Sequence, residues 1–319
     1  MSTNEQAKAL IDAANRIAIA GHVNPDGDSY ASVLGLGLAL QEAGKEVDML
    51  AEEKNAHFSY LPAFSLLRAP DPDKSYDLFI RVDLGDTPRM GTAKIAFDHS
   101  KHSLNFDHHL TNDGLCDCAI LDPKASSTCE IIARFLLETD MVFSADAATA
   151  LYTGLITDSN RYLYDTSTAR TLRIGADLMD RGADAQRVYF YEYQNENPHM
   201  VAFRGIVTEQ AKQLHGGKVI VANITQEMLH HYGIAMPQAE GVVDDLRSLA
   251  GVEVAAILKE QDADTQKISF RSKAYFDVAA VAQKLGGGGH KKAAGATLHG
   301  SNADCWAQFL HLMEALEIE

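Results

Sequence analysis

The stretch Asn105–Leu110, which reads N-F-D-H-H-L, anchors the interpretation of the fold. It ends a short apolar run with one carboxylate, Asp107, and two adjacent imidazoles, His108 and His109. Carboxylate and imidazole groups together are typical of metal and phosphate chemistry. An isolated triplet of this kind is more often polar surface, so its meaning depends on the acidic and histidine-bearing segments elsewhere in the chain.

Strands and helices alternate in the first part of the chain. Short apolar runs predict buried strands, and segments with helical periodicity separate them. The predicted strands are Arg16–Ala20, Lys45–Ala51, Asp77–Leu84 and His102–Phe106, with an edge strand at Ala119–Leu121. This alternation predicts an α/β fold with a doubly wound, mainly parallel sheet. In such sheets, ligands bind at the carboxyl ends of the strands.

A second alternation of strands and helices predicts a smaller α/β domain in the carboxy-terminal part. Between the two lies an aromatic and polar segment without a sustained period, interrupted by Pro198. We therefore expect a first domain at residues 1–187, a linker at 188–213 and a second domain at 214–319. The active cleft is expected between the two domains.

Composition limits the classes of function. With 46% hydrophobic and 23% charged residues, the 319-residue chain is typical of a globular protein. Its formal net charge of -16 argues against sequence-blind attraction to long polyanions. The four cysteines lack C-x-x-C spacing, which favours free thiols in a reducing compartment. Without a signal peptide or an apolar run of ~20 residues, we expect a cytoplasmic protein with no membrane partner.

Acidic and histidine residues follow three of the predicted strands and one predicted helix. The candidate metal ligands are His22, Asp26, Asp28, Asp83, His108 and Asp158. Four carboxylates brought close together would repel one another unless cations neutralised them. Oxygen and imidazole donors without thiolates suit Mn²⁺ best, ahead of Fe²⁺, Co²⁺, Zn²⁺ or Mg²⁺. Two such ions would favour the hydrolysis of phosphoesters.

The second domain contains a glycine run, Gly286–Gly289, directly followed by His290 and Lys291. A loop of this kind either acts as a hinge or lets backbone amides approach a phosphate or base, and its basic neighbours favour binding. The candidate substrate-binding residues are Arg271, Ser272, Lys273, Gly287, Gly288, Gly289, His290 and Lys291.

Four further residues have two interpretations each. Ser127 and Thr128 favour a helix cap over a phosphate contact. For Asp86, a role as a helix cap is favoured over a role in supporting the candidate ligand Asp83. Arg161 fits a substrate phosphate and an ion pair with an acidic neighbour equally well.

Four motifs, taken together, resemble those of the DHH phosphoesterase superfamily in order and spacing. They are H-V-N-P-D-G-D, R-V-D-L-G-D, F-D-H-H and I-T-D-S-N-R. The segment V-A-Q-K-L-G-G-G-G-H-K-K-A-A-G-A resembles the associated DHHA1 domain. The resemblance implies that His22 and Asp26 bind one Mn²⁺, and that Asp28, His108 and Asp158 bind a second. It also implies that Asp83 bridges the two ions, that His109 contacts the phosphate, and that Asp107 orients an imidazole.

Within the superfamily, the two-domain chain resembles the nanoRNase and pAp-phosphatase branch. The resemblance implies hydrolysis of short oligonucleotides of two to five residues, including pApA and pGpG, to 5′-mononucleotides, and removal of the 3′-phosphate of pAp. The alternative is a cyclic or linear dinucleotide phosphodiesterase. A single-strand exonuclease and an inorganic pyro- or polyphosphatase rank lower, and a non-catalytic nucleotide-binding protein is disfavoured by the complete ligand set. The oligomeric state stays open, a homodimer included.

Overall fold

The computed structural model describes residues 2–318, which form two compact units. The first unit ends at Asn195 and the second begins at Glu196, so the division falls inside the segment predicted as a linker.

The first unit is built on a five-stranded sheet in which all strands are parallel. Its strands are β1 (Arg16–Ala20), β2 (Glu46–Leu50), β3 (Tyr76–Val82), β4 (Ser100–Asp107) and β5 (Cys118–Leu121). Their order across the sheet is β2-β1-β3-β4-β5, with β5 at an edge. The prediction of a parallel α/β sheet is therefore confirmed.

Helices cover both faces of this sheet. The helices of the first unit are α1 (Thr3–Ala13), α2 (Gly27–Glu42), α3 (Lys94–Asp98), α4 (Thr128–Glu138), α5 (Ala145–Asp158), α6 (Ala169–Asp180) and α7 (Ala185–Tyr189). Alternate residues of β1 face opposite sides: Ile17 and Ile19 join the larger core with α2, α4 and α5, whereas Ala18 and Ala20 join a smaller core near α3. The sheet is therefore doubly wound.

The strand order places a switch point between β1 and β3. From the interior strand β1 the chain first crosses to β2 on one side, and the following strands then add on the other side. Ligands in open α/β sheets bind outside the carboxyl ends of the strands at such a point. His22 follows β1 and Asp83 follows β3, so both lie at this position.

The second unit contains a six-stranded mixed sheet. Its strands are β6 (Lys212–Leu214), β7 (Val219–Ile224), β8 (Val254–Glu260), β9 (Thr265–Ser272), β10 (Gly288–His290) and β11 (Ala293–His299), in the order β10-β11-β9-β8-β7-β6. Its helices are α8 (Pro198–Gln210), α9 (Gln226–Tyr232), α10 (Val242–Ser248), α11 (Val278–Gln283) and α12 (Asn302–Glu314). One core lies under α11 and α12, and a second core contains residues of α8, α9 and α10.

Two segments differ from their predicted secondary structure. Much of the segment predicted as a linker is helical, because a π-helix spans Phe190–Gln194 and α8 begins at Pro198. Pro198 starts this helix because proline at the first helical position loses no hydrogen bond, and Asn197 caps it. The glycine run is only partly a loop, since Gly288 and Gly289 belong to β10 and pair with β11.

The cysteines are free thiols, as predicted. Cys129 and Cys305 are buried in the cores of the first and second units, respectively, whereas Cys116 is half-buried. Among residues 2–318, no helix has the length and apolar composition needed to cross a membrane.

Candidate metal centre

Five structural elements bring the predicted metal ligands together. His22 follows β1, and Asp26 caps the amino terminus of α2. Asp28 lies in the first turn of α2, which begins at Gly27, not after the N-P-D-G-D turn as predicted. Asp83 and His108 directly follow β3 and β4, and Asp158 is the last residue of α5. The carboxyl ends of parallel strands thus meet the ends of two helices.

The predicted ligands form two groups that could each hold a metal ion, and a third group, Asp83, His108 and His109, overlaps them. In one group, the Nε2 atom of His22 lies 3.3 Å from Asp83 Oδ2 and 3.8 Å from Asp26 Oδ2. In the other, His108 joins Asp28 and Asp158, and its Nε2 atom lies 3.5 Å from Asp158 Oδ2. The same His108 atom lies 3.6 Å from Asp83 Oδ1. One oxygen of Asp83 therefore faces each group.

His22 has a fixed tautomer that suits it to be a ligand. Its Nδ1 atom lies 2.8 Å from the carbonyl oxygen of Val23, and because a carbonyl only accepts, Nδ1 carries the proton and donates it. In the neutral ring the lone pair is then on Nε2, which faces Asp26 and Asp83. Burial would lower the pKa of His22, but hydrogen bonds with the two carboxylates raise it to about 10. The position thus attracts a positive charge.

Asp28 is buried and held by the amino terminus of α4. The backbone amide of Thr128 donates to Asp28 Oδ2 at 2.7 Å, and that of Cys129 donates to Oδ1 at 3.0 Å. Burial, with repulsion from Asp83 and Asp158, nevertheless raises the pKa of Asp28 well above its usual value. The carboxylate is fixed in place where other negative charges oppose its ionisation, and a bound cation would relieve that opposition.

Asp83 has the most constrained backbone among the ligands. Its φ angle is +55°, a left-handed conformation that non-glycine residues seldom adopt, and its side chain is 2% exposed. The hydroxyl of Thr128 donates to Asp83 Oδ1 at 3.1 Å, and the Asp83 amide donates to the carbonyl of Phe106. Strained conformations of this kind persist where the surroundings hold them, often at functional sites. The conformation places this carboxylate where both groups can share it.

Asp107 supports His109. Asp107 is fully buried, and its Oδ1 atom accepts from the backbone amide of His109 and from His109 Nδ1 at 2.7 Å. The other oxygen accepts from Asn112 at 2.8 Å. The hydrogen bond to Asp107 raises the pKa of His109, and this effect is larger than the opposing effect of burial. It also fixes the ring, so that Nε2 is the nitrogen available to a ligand.

The donor set fits divalent cations. Burial, followed by the negative charges of Asp83 and Asp26, raises the pKa of Asp158 to about 7. Carboxylates that oppose one another's ionisation, beside imidazoles with fixed tautomers, are the arrangement that bound cations would stabilise. The residues able to hold them are His22, Asp26, Asp28, Asp83, His108, His109 and Asp158.

The predicted substrate-binding residues of the second unit are only partly brought together. Arg271 and His290 lie in one cross-strand row, on either side of Ala293. The prediction that Ser272 binds substrate is corrected by its position: Ser272 is buried and donates to Glu253 at 2.9 Å, so it is not available to a substrate. The Nζ atom of Lys273 donates to the carbonyl of Leu249.

The glycines of the run and the lysine after it have different surroundings. A Cβ atom at Gly287 would meet the carbonyl oxygen of Gly295 at 2.1 Å, so packing alone requires this glycine. Gly289 has a φ of +141°. A Cβ atom at Gly288 would meet no described atom within 4 Å, and Lys291 is exposed.

Sequence reasoning did not identify the network that supports the metal ligands. Ser127 caps α4 as predicted, but Thr128 contacts Asp28 and Asp83. Glu130 is fully buried and accepts from Ser126, whose amide and hydroxyl lie 3.1 and 2.8 Å away. The sequence S-S-T-C-E at Ser126–Glu130 indicated the cap, but the hydrogen bond from Thr128 to Asp28 joins residues 100 positions apart.

Asp86 and Arg161, which each had two interpretations, have defined contacts. Asp86 caps a 3₁₀ turn by accepting from the amide of Arg89, as predicted. Arg161 forms no ion pair with an acidic residue among residues 2–318. Its guanidinium lies 4.5 Å from the ring centroid of Tyr193, and it donates to Asn160.

Each of the two units contains a segment that matches a known protein family. Residues 16–155 match the DHH family, N-terminal domain, and residues 216–317 match the DHHA1 domain. The chain is 28% identical to the bifunctional oligoribonuclease and PAP phosphatase NrnA of Thermus thermophilus, over 90% of this chain and 86% of that protein.

Two solved structures share the fold. An exopolyphosphatase-related protein from Bacteroides fragilis has a TM-score of 0.87 and 24% identity, covering 98% of this chain and 95% of that one. RecJ of Thermus thermophilus in complex with Mn²⁺ has a TM-score of 0.55 and 14% identity, covering 99% of this chain and 54% of that one.

Proposed function

We propose, from the premise that the chain belongs to the DHH family and carries a DHHA1 domain, that it is a metal-dependent phosphoesterase of short oligonucleotides and pAp. The observation that carries this proposal is the pair of ligand groups that share Asp83. The similarity to NrnA supports the choice of substrate. The products would be 5′-mononucleotides from oligonucleotides, and a 5′-nucleotide from pAp.

We assign two divalent ions to the centre, with Mn²⁺ as the preferred metal. One would be held by His22 and Asp26, and the other by Asp28, His108 and Asp158, with Asp83 between them. A pair of divalent ions lowers the pKa of bound water and stabilises the oxygens of an in-line phosphoryl displacement. Oxygen and imidazole donors support Mn²⁺, which the similar RecJ structure also contains.

The protein groups would orient the ligands and bind the phosphate. His109, held by Asp107, would direct its Nε2 atom toward a phosphate oxygen and donate a hydrogen bond as negative charge develops. Thr128 and Cys129 would keep Asp28 in one orientation, and the Thr128 hydroxyl would do the same for Asp83. These contacts support a defined orientation for each of these side chains.

The second unit would select the substrate. Arg271 can form a forked contact with a phosphate, and His290, in the same row, can contact a base or sugar. Lys273, Lys291 and the glycine run would supply further contacts. A formal net charge of -16 supports a small ligand, because two or three phosphates need only a confined basic patch.

A substrate panel tests the proposal. Purified protein with Mn²⁺ is incubated with pAp, pApA, pGpG, a five-residue RNA, a twenty-residue RNA and pyrophosphate. We expect turnover of the first four substrates and little of the last two. Preferential turnover of the long RNA or of pyrophosphate would contradict the proposed substrate class.

Asp83→Asn and Asp86→Asn form a matched pair of variants for this assay. Both remove one carboxylate charge near the end of β3, but only Asp83 faces the two ligand groups, whereas Asp86 is an exposed cap that asparagine can replace. Asp83→Asn should abolish metal-dependent turnover, and Asp86→Asn should leave it nearly unchanged. Retained activity in Asp83→Asn would contradict the shared-ligand centre.

A further inference from the structure

A groove of about 590 Å³ lies on the sheet of the second unit. Its lining includes Lys259 of β8, Lys267 and Ser269 of β9, and Gly295 and Thr297 of β11. Directly opposed residues on neighbouring strands project from the same face of a sheet. The register pairs Lys259 with Lys267 and Lys267 with Thr297, so these three residues form one row across three strands.

This row, which we call the lysine row (Lys259, Lys267 and Thr297), has an excess of positive charge. The side chain of Lys259 is 3% exposed and forms an ion pair with Glu240, which also lines the groove. Lys267 is exposed and has no ion-pair partner among residues 2–318. Like charges directly opposed on adjacent strands destabilise a sheet. Because one carboxylate faces two ammonium groups, an anion bound here would remove the imbalance.

The next row along the same face lacks large side chains on β9, β11 and β10, and its β8 member, Ile257, is buried in the core. On the first three strands it consists of Ser269, Gly295 and Gly288, which are successive register partners. At Gly288 a Cβ atom would meet nothing within 4 Å, and φ is not positive there, so neither packing nor conformation within the described chain requires glycine. Glycine inside a strand often marks a bulge, a tight bend, or a place where a ligand or another backbone approaches closely. The row can therefore accommodate a ligand lying directly on the backbone.

Beyond this second row lies Arg271, on the same face as Lys267 because the two residues are four positions apart on β9. At a rise of 3.2–3.4 Å per residue, their Cα atoms are separated by ~13 Å. A cationic side chain therefore lies at each end of this strip of the sheet: Lys267 has no ion-pair partner among residues 2–318, and the Nε atom of Arg271 lies 3.6 Å from Asp244 Oδ1. An extended ligand with phosphates at separate positions matches this pattern better than one with a single phosphate.

We propose that the lysine row is a phosphate subsite for oligonucleotides longer than a dinucleotide. The inference rests on the proposed function and extends it: Arg271 would hold one phosphate and Lys267 a phosphate further along the same strand. Lys259, fixed by Glu240, would add positive charge beneath the groove. Substrates of three or more residues would use both ends of the strip, whereas pAp and pApA would use only one.

Binding measurements in EDTA test the subsite without turnover. The ligands are pAp, pApA, a five-residue RNA and inorganic phosphate, and the variants are Lys267→Ala and Lys284→Ala. Lys284 is an exposed lysine after α11 and does not line the groove, so its variant removes an equal charge elsewhere. Loss of one charge-assisted contact should weaken binding of the five-residue RNA about ten-fold in Lys267→Ala. Binding of pAp and pApA should change less than about two-fold in the same variant.

Two further readouts separate a phosphate contact from a general loss of charge. In Lys267→Ala, the negative slope of log affinity against log salt for the five-residue RNA should become shallower by about 0.7. Glu240→Gln should act in the opposite direction and tighten binding of this RNA, because it removes the negative charge from the groove. Lys284→Ala should show neither effect.

Several results would overturn the subsite. They are an equal loss for pAp and the five-residue RNA, no loss for either, or a loss confined to inorganic phosphate, which would indicate an isolated anion site. If wild-type protein binds RNA through Lys267 but hydrolyses none of the substrate panel with Mn²⁺, the proposed function fails while the subsite stands. If the panel is hydrolysed and Lys267→Ala binds every ligand normally, only the subsite fails.

Discussion

Glu130→Gln should destabilise the first unit, although Glu130 is not among the metal ligands. Its carboxylate is fully buried, and its Oε1 atom accepts from Arg170 Nε at 2.6 Å. Its Oε2 atom accepts from the amide and hydroxyl of Ser126 and from the hydroxyl of Thr171 at 2.8 Å. A glutamine has one acceptor oxygen and one NH₂ group, so either Arg170 or the Ser126 and Thr171 donors would face another donor.

The expected loss of unfolding free energy is about 2–3 kcal/mol. Loss of one charge-assisted hydrogen bond costs roughly 1.5–3 kcal/mol, and breaking a fully buried ion pair costs roughly 3–5 kcal/mol. The larger value does not apply, because the Arg170 side chain is 36% exposed and keeps a second partner, Asp122, at 2.9 Å. For a unit of this size, the melting temperature should fall by roughly 4–12 °C.

Differential scanning calorimetry measures this loss, with Glu138→Gln as a matched control. Glu138 lies on the same helix as Glu130, but its side chain is 52% exposed, so its substitution should change stability by less than about 0.5 kcal/mol. The two units need not unfold in the same transition. The transition whose melting temperature falls in Glu130→Gln should be the one whose melting temperature rises when Mn²⁺ is added. Equal, small shifts in both variants would refute the reasoning from burial.

Three further outcomes are expected. Asp113, 20% exposed, is subject to burial, but its hydrogen bond with the buried Arg81 and its bonds with Thr87 outweigh that effect and lower its pKa to about 2. This stabilisation is present above the unfolded carboxyl pKa and is lost as pH falls toward 2. Asp113→Asn should therefore lower the free energy of unfolding by about 2 kcal/mol at pH 7, measured by urea titration. A difference between wild type and variant that persists at pH 2 would contradict this. Mn²⁺ at 100 times its Kd should stabilise the wild type by about 2.7 kcal/mol and Asp83→Asn much less, and equal melting shifts would argue against binding at Asp83. Asp107→Asn should lower kcat for pApA by about 10–100-fold through misorientation of His109, and unchanged steady-state rates would exclude this support.

The fold and the convergence of the metal ligands could be predicted because both depend on local patterns. Apolar runs of strand length, separated by helical periodicity, specify a parallel sheet, and a parallel sheet brings all its carboxyl ends to one edge. His22, Asp83 and His108 follow three such strands, so their proximity required no knowledge of long-range contacts. Asp158 was predicted at the end of a helix and lies there.

Contacts that depend on long-range pairing could not be predicted. The amides of Thr128 and Cys129 bond to Asp28 because α2 and α4 pack together, which no local pattern specifies. Gly288 belongs to a strand only because β11 pairs with it. For Ser272 a local signal did exist, since adjacent strand residues face opposite sides and Ser272 directly follows Arg271.

The buried thiols give each unit an internal reporter of its own opening. Cys129 is fully buried beside Ser32 and Asp28, and Cys305 is 2% exposed in the core under α11 and α12. A thiol-modifying reagent can reach either sulfur only when the surrounding core opens, so labelling rates report local unfolding. The half-buried Cys116 provides a faster internal reference. Labelling of the wild-type chain, measured by mass spectrometry of its peptides, therefore yields the opening free energy of each unit separately.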